Sequence, residues 1–178
     1  MTDLDESGQI CDNGGAEFTP RQQARQSEGD IVRDALERNL SEAFRLPPAP
    51  VEWLLGLWDA IQFLDDVADG DDIPRSEIDR AIYALLVGMP ANRFFMEYAA
   101  TLLPCVSVMI LKWQASDHAE RNGQADAKSY MWRAGYYDLV LLVFQICHGQ
   151  EAAVKDAPAI MGLYGETFEE YKKEFPNA

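Results

Sequence analysis

The sequence predicts an all-α protein with a single folded domain. Apolar residues recur at intervals of three and four over most of the chain, which is the spacing of one face of an α-helix. No run shows the strict alternation of apolar and polar residues that is typical of a half-buried strand. Proline and glycine interrupt the periodic stretches, and 178 residues suffice for one hydrophobic core. We expect a bundle of about six helices around a buried central helix.

The chain is expected to consist of an acidic tail, residues 1–26, and one helical domain, residues 27–178. The tail has five acidic residues before its first basic residue and few large apolar groups. It could therefore bury too little surface to offset the entropy lost on ordering, so we expect it to be disordered or loosely held. Ser27 is the predicted N-cap of a first helix, which ends near Arg45 because the prolines that follow cannot continue it.

The second predicted helix, from about Val51 to Gly70, begins apolar and ends in the acidic run DDVADGDD. On a helical wheel Asp65 shares the apolar stripe of this helix, and Asp69 follows one turn later near the same edge. An ionised carboxylate that faces a core is costly unless it is paired, and two stacked carboxylates repel each other. A divalent cation, a basic side chain from another helix or a proton would each relieve the repulsion. A solvated acidic surface patch is the further alternative.

The remaining helices are predicted from the same spacing and from their end signals, over residues of about 76–87, 92–121, 126–148 and 159–175. Pro104 is expected to bend the long helix that contains it. The stretch from Leu139 to Cys147 is apolar on nearly every face, which indicates a central helix surrounded by others. Asp138, at the start of that stretch, is therefore expected to have few directions that lead to water.

The composition argues against several classes of function. With a formal net charge of -15, the chain should repel the phosphates of nucleic acids and anionic membranes, so we expect no direct binding to either. No segment is expected to approach the length of a membrane span, and the first residues are acidic where a secretory signal would be basic. Cys105 and Cys147 lie in apolar runs typical of inert core thiols. These features predict a soluble, cytoplasmic protein.

Four carboxylates on two predicted helices are candidates for a metal site. Asp65 and Asp69 end one helix, and Asp117 and Glu120 lie on the apolar side of another. Carboxylates from facing helices of a bundle make Mg²⁺ or Mn²⁺ sites, because hard cations prefer oxygen ligands. Such a site commonly neutralises and orients a diphosphate or a triphosphate. We therefore predict these four residues as metal ligands.

Two further residues are candidates for contacts to a substrate. Arg133 lies on the predicted central helix, where its guanidinium could bind a substrate phosphate or pair with Asp138. Asp138 could also simply accept a structural hydrogen bond from a tyrosine or tryptophan.

The stretch DDVAD, residues 65–69, resembles the DDxxD motif of the class I isoprenoid synthases. These are all-α enzymes that bind a substrate diphosphate through Mg²⁺ ions, and the resemblance implies that Asp65 and Asp69 are Mg²⁺ ligands. The pairing of these residues with Asp117 and Glu120 is also similar to the paired acidic motifs of the all-α nucleotide pyrophosphatases, although Asp stands here at most positions where those motifs have Glu.

Two functions are consistent with these patterns. The first is an enzyme that depends on Mg²⁺ or Mn²⁺ and acts on a phosphoanhydride, in a diphosphate or a nucleotide. The second is a non-catalytic acidic helical interaction protein, of the kind found in bacteria or prophages, which could form a homo-oligomer. Carboxylates that converge on a common cleft would favour the enzyme, and carboxylates that diverge into solvent would favour the interaction protein.

Overall fold

A computed structural model describes residues 20–176, with side chains from residue 29 onward, and all their regular structure is helical. The all-α class is therefore confirmed for these residues. Two short π-helical turns, at Asn39–Ala43 and Ala84–Gly88, accompany the α-helices. The α-helices in chain order are α1 (Pro20–Arg38), α2 (Pro48–Asp69), α3 (Arg75–Tyr83), α4 (Met89–Ala91), α5 (Arg93–Arg121), α6 (Ala127–Arg133), α7 (Gly135–His148), α8 (Gln150–Met161) and α9 (Phe168–Glu174).

The chain divides into two compact units after Asp34. Among the described residues, the first unit holds only the beginning of α1, and the second holds the core and the other helices. α1 begins at Pro20, seven residues before the expected N-cap at Ser27. The reason is local, because a proline at the first helical position is followed by good helix formers. Residues 1–19 of the predicted tail lie outside the described residues, so the extent of the tail stays a prediction.

The expected number of about six helices is too low for the described residues. The predicted central helix over 126–148 is interrupted at Ala134, which separates α6 from α7. The stretch expected to be a linker after Gly149 forms α8, and only α9 remains of the helix expected over 159–175. A Cβ on Gly135 would lie 3.3 Å from Cγ of Met109, so glycine at the start of α7 permits a close approach to α5.

The core lies where α2, α5 and α7 meet. α7 is deeply enclosed, and Leu139, Val140 and Val143 on it have no exposed surface. α5 and α8 both pack along α7, and α2 contacts both α5 and α7. Leu54 on α2 and Leu102 on α5 are likewise fully buried against this core. The packing of α7 therefore fixes where α2 and α5 lie relative to each other.

Asn92 fixes the beginning of α5 against α2. Its Oδ1 accepts hydrogen bonds from the backbone N–H groups of Phe94, at 2.9 Å, and Phe95, at 3.2 Å, which makes Asn92 the N-cap of α5. Its Nδ2 donates to the backbone carbonyl of Ala49 at 3.0 Å, near the start of α2. One side chain thus caps one helix and holds it to another.

The acidic end of α2 extends beyond the core. The buried residues of α2 end at Ala60, and Leu64 and Ala68, which the helical wheel places on the apolar stripe, are exposed. Gly70 ends the helix with a φ of 77°, in the left-handed region that glycine adopts without strain. The carboxylates near this end can therefore reach both a neighbouring helix and water.

α5 is long and apolar enough to cross a membrane, judged by length and composition alone. The expectation that no segment approaches this length therefore does not hold for α5. One such helix is weak evidence for a membrane span, because the mostly buried core helix of a soluble protein passes the same test, although only 17% of the apolar stretch of α5 is buried. Pro104 lies inside α5, which continues through it from Arg93 to Arg121.

Replacing Asn92 tests whether it organises the junction of α2 and α5. We expect Asn92→Ala to lower the free energy of unfolding by about 1 to 2 kcal/mol, because it removes the N-cap and the bond to Ala49. Asn92→Ser should lose less, because its hydroxyl can still cap the helix and places no second carboxylate beside Glu52, whose Oε2 lies 3.4 Å from Nδ2 of Asn92. Urea unfolding followed by circular dichroism measures both changes. Equal stability of wild type and Asn92→Ala would contradict the assignment.

Candidate functional site

Side chains from several helices line one pocket beside the C-terminal halves of α2 and α5. The enclosed cavity measures about 60 Å³ and opens to solvent, and the surrounding open space brings the total to about 420 Å³. Five residues predicted from the sequence are among those that line it, and so they converge. The lining residues are Asp65, Ala68 and Asp69 from α2, Trp113, Ser116, Asp117 and Glu120 from α5, Arg133 from α6, and Glu174 and Phe175 from the end of α9.

Asp65 is a half-buried carboxylate that connects α2 to α5. Its Oδ1 accepts a hydrogen bond from Nε1 of Trp113 at 3.3 Å. Burial raises the pKa of Asp65, and the negative charge of Asp69 raises it further. The hydrogen bond from Trp113 and the positive charge of Arg133 act in the opposite direction and do not outweigh the first two effects. The charge of Asp69 therefore destabilises the ionised form of Asp65.

Glu120 is held in place by hydroxyl groups from two directions. Its side chain is only 11% exposed, and its Oε1 accepts hydrogen bonds from Oγ of Ser116 at 2.8 Å and from the hydroxyl of Tyr171 at 2.9 Å. Oγ of Ser129, in turn, lies 2.7 Å from the hydroxyl oxygen of Tyr171. This network joins α5, α6 and α9, so the Glu120 carboxylate is positioned before any ligand binds.

The guanidinium of Arg133 lies among three glutamates. Its Nε is 3.9 Å from Oε1 of Glu120, and its Nη1 is 3.8 Å from Oε1 of Glu166 and 3.7 Å from Oε2 of Glu174. Burial lowers the pKa of Arg133, but the surrounding carboxylates outweigh it and raise the pKa above its usual value. These contacts are too long for hydrogen bonds, and Nη1 is a buried donor without a hydrogen-bond partner.

α9 covers Arg133 with two aromatic rings. The helix starts at a capping box formed by Thr167 and Glu170. The ring centroids of Tyr171 and Phe175 lie 5.7 Å and 5.8 Å from Cζ of Arg133, within the range of a cation–π interaction. The C-terminal helix thus both shields the guanidinium and completes the wall of the pocket.

Asp117 and Asp138 each have a basic partner of their own. Asp117 lines the pocket but pairs with Arg121, one turn later on α5. Asp138 pairs with Lys112 and does not line the pocket. The expectation that Asp138 has few directions to water is wrong, since its side chain is 44% exposed. Arg133 also faces glutamates rather than Asp138, because the turn at Ala134 separates their helices.

The described residues contain no group of three or more His, Cys, Asp or Glu that could hold a metal ion. Glu120 is engaged by hydroxyls and by Arg133, and Asp117 is engaged by its ion pair. Asp65 and Asp69 are therefore the best candidates for direct cation contacts. Mg²⁺ is usually bound through one or two carboxylates, with waters and substrate phosphates as the other ligands.

Several residues of the pocket were not predicted as site residues from the sequence. Trp113, Ser116 and Glu120 are spaced three and four residues apart on one face of α5, so a wheel centred on Glu120 could have found the first two. Glu174 and Phe175 reach the pocket only through the tertiary placement of α9, for which the sequence carries no local signal.

No protein-family model, curated protein or solved structure matches this chain. Its function is therefore inferred from the chemistry of the pocket.

The raised pKa of Asp65 predicts that Asp65→Asn stabilises the protein at pH 7. A raised pKa means that the folded state binds the proton more readily than the unfolded state, so the ionised carboxylate lowers stability at pH values above the folded pKa. The gain from Asp65→Asn should shrink as the pH falls through that pKa towards the unfolded value of about 3.9. Asn can still accept the hydrogen bond from Trp113.

Urea unfolding of both proteins between pH 7 and pH 4 measures this difference. Asp138→Asn is the matched control, because it removes an attraction to Lys112 and should leave stability unchanged or lower. The assignment fails if Asp65→Asn is no more stable than wild type at pH 7, or if its gain does not depend on pH.

Proposed function

We propose that the pocket binds the phosphoanhydride group of a diphosphate or a nucleotide together with Mg²⁺ or Mn²⁺, and that the protein is an enzyme acting on that group. The supporting observation is that Asp65, Asp69, Asp117, Glu120 and Arg133 line one pocket. These residues come from three helices that are distant in the sequence. Carboxylates that diverged into solvent would have favoured the alternative of a solvated acidic surface patch.

In this proposal Asp65 and Asp69 bind the cation directly. A cation between them would relieve the repulsion that contributes to the raised pKa of Asp65. A cation there would neutralise the phosphate oxygens, orient the anhydride and stabilise the charge that develops on the leaving group. Asp117 and Glu120, each already engaged by other side chains, would act through the waters that Mg²⁺ commonly retains.

Arg133 is the proposed phosphate contact. A guanidinium presents a planar fork of donors that matches the oxygens of a phosphate. Nη1 of Arg133 is buried and makes no hydrogen bond, so a phosphate oxygen would satisfy a donor that the protein leaves unsatisfied. The contacts to Glu120 and Tyr171 restrain the side chain, which reduces the entropy lost when a ligand binds.

The lining of the pocket favours a polar substrate. Most lining residues are charged or hydroxylated, and the apolar ones are Ala68, Trp113 and Phe175. A long isoprenoid chain would require an extended apolar surface, which this lining does not provide. Inorganic diphosphate or a nucleotide therefore fits the lining better than an isoprenoid diphosphate does, and this favours the chemistry of the nucleotide pyrophosphatases.

A second candidate function, a non-catalytic interaction protein, is favoured by a different observation. The solvent side of α5 carries several large apolar side chains. This feature does not compete with the pocket, because a protein can bind a partner on one surface and a substrate in another.

Thermal melting with and without ligands tests the proposal. We expect a small rise in melting temperature with Mg²⁺ alone and a larger one with Mg²⁺ and inorganic diphosphate together, because each completes the binding site of the other. A ligand that binds only the folded state adds about 2.7 kcal/mol at a hundredfold excess over its Kd. EDTA should abolish the rise. The double variant Asp65→Asn, Asp69→Asn should not respond.

Asp138→Asn is the matched control for this experiment, because Asp138 lies outside the pocket and the variant should respond as wild type does. The proposal would be falsified if wild type responded to neither Mg²⁺ nor Mn²⁺ in the presence of diphosphate or nucleotide. An unchanged response of the double variant would also exclude Asp65 and Asp69 as the ligands.

Glu174→Gln tests the role of Arg133. The Glu174 carboxylate lies 3.7 Å from Nη1 and competes with a phosphate for the same guanidinium. Removing its charge should tighten the binding of diphosphate in the presence of Mg²⁺ by about tenfold, equivalent to about 1.4 kcal/mol. Isothermal titration calorimetry measures the change. Glu169→Gln, on the same helix but paired with Lys172, is the control. Equal affinities of the two variants would contradict the assignment.

A further inference from the structure

The solvent side of α5 is apolar, although a surface helix normally turns charged residues to water. From Ala100 to Ala115 none of the exposed residues carries a charge. We call these exposed residues the α5 face. Only 17% of the most apolar 18-residue stretch of α5 is buried. The large apolar side chains on or beside this face are between 44% and 63% exposed, and they are Met96, Leu103, Val108, Ile110 and Leu111.

The α5 face lies opposite the side of the helix that packs into the protein. Leu102, Met109 and Ser116 are buried and recur every seven residues, so they mark the inward side. A helix that is apolar on both sides is normally covered on both sides. α5 is covered by the described part of its own chain on one side only.

We propose that the α5 face is covered by a second copy of this chain in a symmetric dimer. Two copies with a net charge of -15 each repel one another over most of their surfaces. The α5 face is a long uncharged surface, so contact there brings the fewest like charges together. In a two-fold dimer the same surface meets itself, and an uncharged apolar face is complementary to its own copy.

The size of the face is sufficient for a specific dimer. The five large apolar side chains at their observed exposure offer roughly 500 Å² per copy, or about 1,000 Å² for the pair, which reaches the lower limit of specific interfaces. α5 has 29 residues and its midpoint is Ser107. An antiparallel pair centred there would bring together the uncharged stretches from Ala100 to Ala115 and place the two helix dipoles in opposite directions. Small residues such as Ala100 and Ser107 would let the helices approach closely.

Other occupants fit the face less well. Insertion of α5 into a bilayer would carry the Lys112 and Asp138 pair on its inward side towards hydrocarbon, at a high cost. The acidic chain would also be repelled by anionic lipids. Residues 1–19 lie outside the described residues, but their sequence contains few large apolar side chains that could cover the face.

Sedimentation velocity of the full chain tests the proposal without Mg²⁺ or phosphate, so its outcome is independent of the pocket. Wild type at up to about 100 µM should have twice the 20.0 kDa mass of one chain. The double variant Leu103→Glu, Leu111→Glu should sediment as a monomer, with dimerisation weakened at least tenfold. Both side chains already face solvent within one chain, so the fold should be retained, as circular dichroism would verify.

Val154→Glu is the matched control, because Val154 on α8 is 70% exposed but lies away from α5, and this variant should stay dimeric. Leu111→Gln provides a milder variant that should still weaken the dimer if the double variant fails to fold. A monomeric wild type, a dimer that survives the changes on α5, or one that Val154→Glu dissociates equally would overturn the proposal. Co-sedimentation of a monomeric wild type with phosphatidylcholine vesicles would assign the face to a membrane instead.

Discussion

The arrangement of the helices depends on the burial of one side of α7. The residues buried there include Tyr136, Leu139, Val140, Val143 and Phe144. The helices α2, α5 and α8 all contact α7. The hydroxyl of Tyr136 donates to the backbone carbonyl of Leu54 at 3.0 Å, which ties α7 to α2. Gly135 allows α7 to approach Met109 on α5 closely. These contacts bring the ends of α2 and α5 side by side beyond the core, and the pocket forms there.

The balance of charge in the pocket explains why a metal and a phosphate would have to bind together. Three of the pocket carboxylates are compensated in part, Asp65 by Trp113, Glu120 by two hydroxyls and Asp117 by Arg121. Arg133 already compensates three glutamates. A phosphate adds further negative charge that the pocket cannot offset with its own residues, so a cation has to accompany it. The same reasoning predicts weak binding of either one alone.

The parts of the structure that depend only on residues close together in the sequence were predictable. Helical spacing and terminal signals identified α2, α5 and the turn in which Asp65 and Asp69 lie, because these depend on neighbours within a few residues. The break at Ala134 was not predicted, because no proline or polar stop signal marks it in the apolar stretch around it. Asp138 is exposed beside Lys112, which lies 26 residues earlier. Tyr171 donates a hydrogen bond to Glu120 only because of how α9 packs, and no local pattern in the sequence indicates that contact. Spacing could place the carboxylates on helices but could not identify their partners.

The position of α9 late in the sequence has a consequence for the order in which the pocket is completed during synthesis. The ribosome delivers the chain from its N-terminus, and α2, α5 and α6 emerge before α9 does. Arg133 and Glu120 therefore leave the exit tunnel before Tyr171 and Glu174 do. Until α9 packs, the guanidinium lacks its aromatic cover and an anion has the freest access to it. The packing of α9 thus determines when the guanidinium is covered.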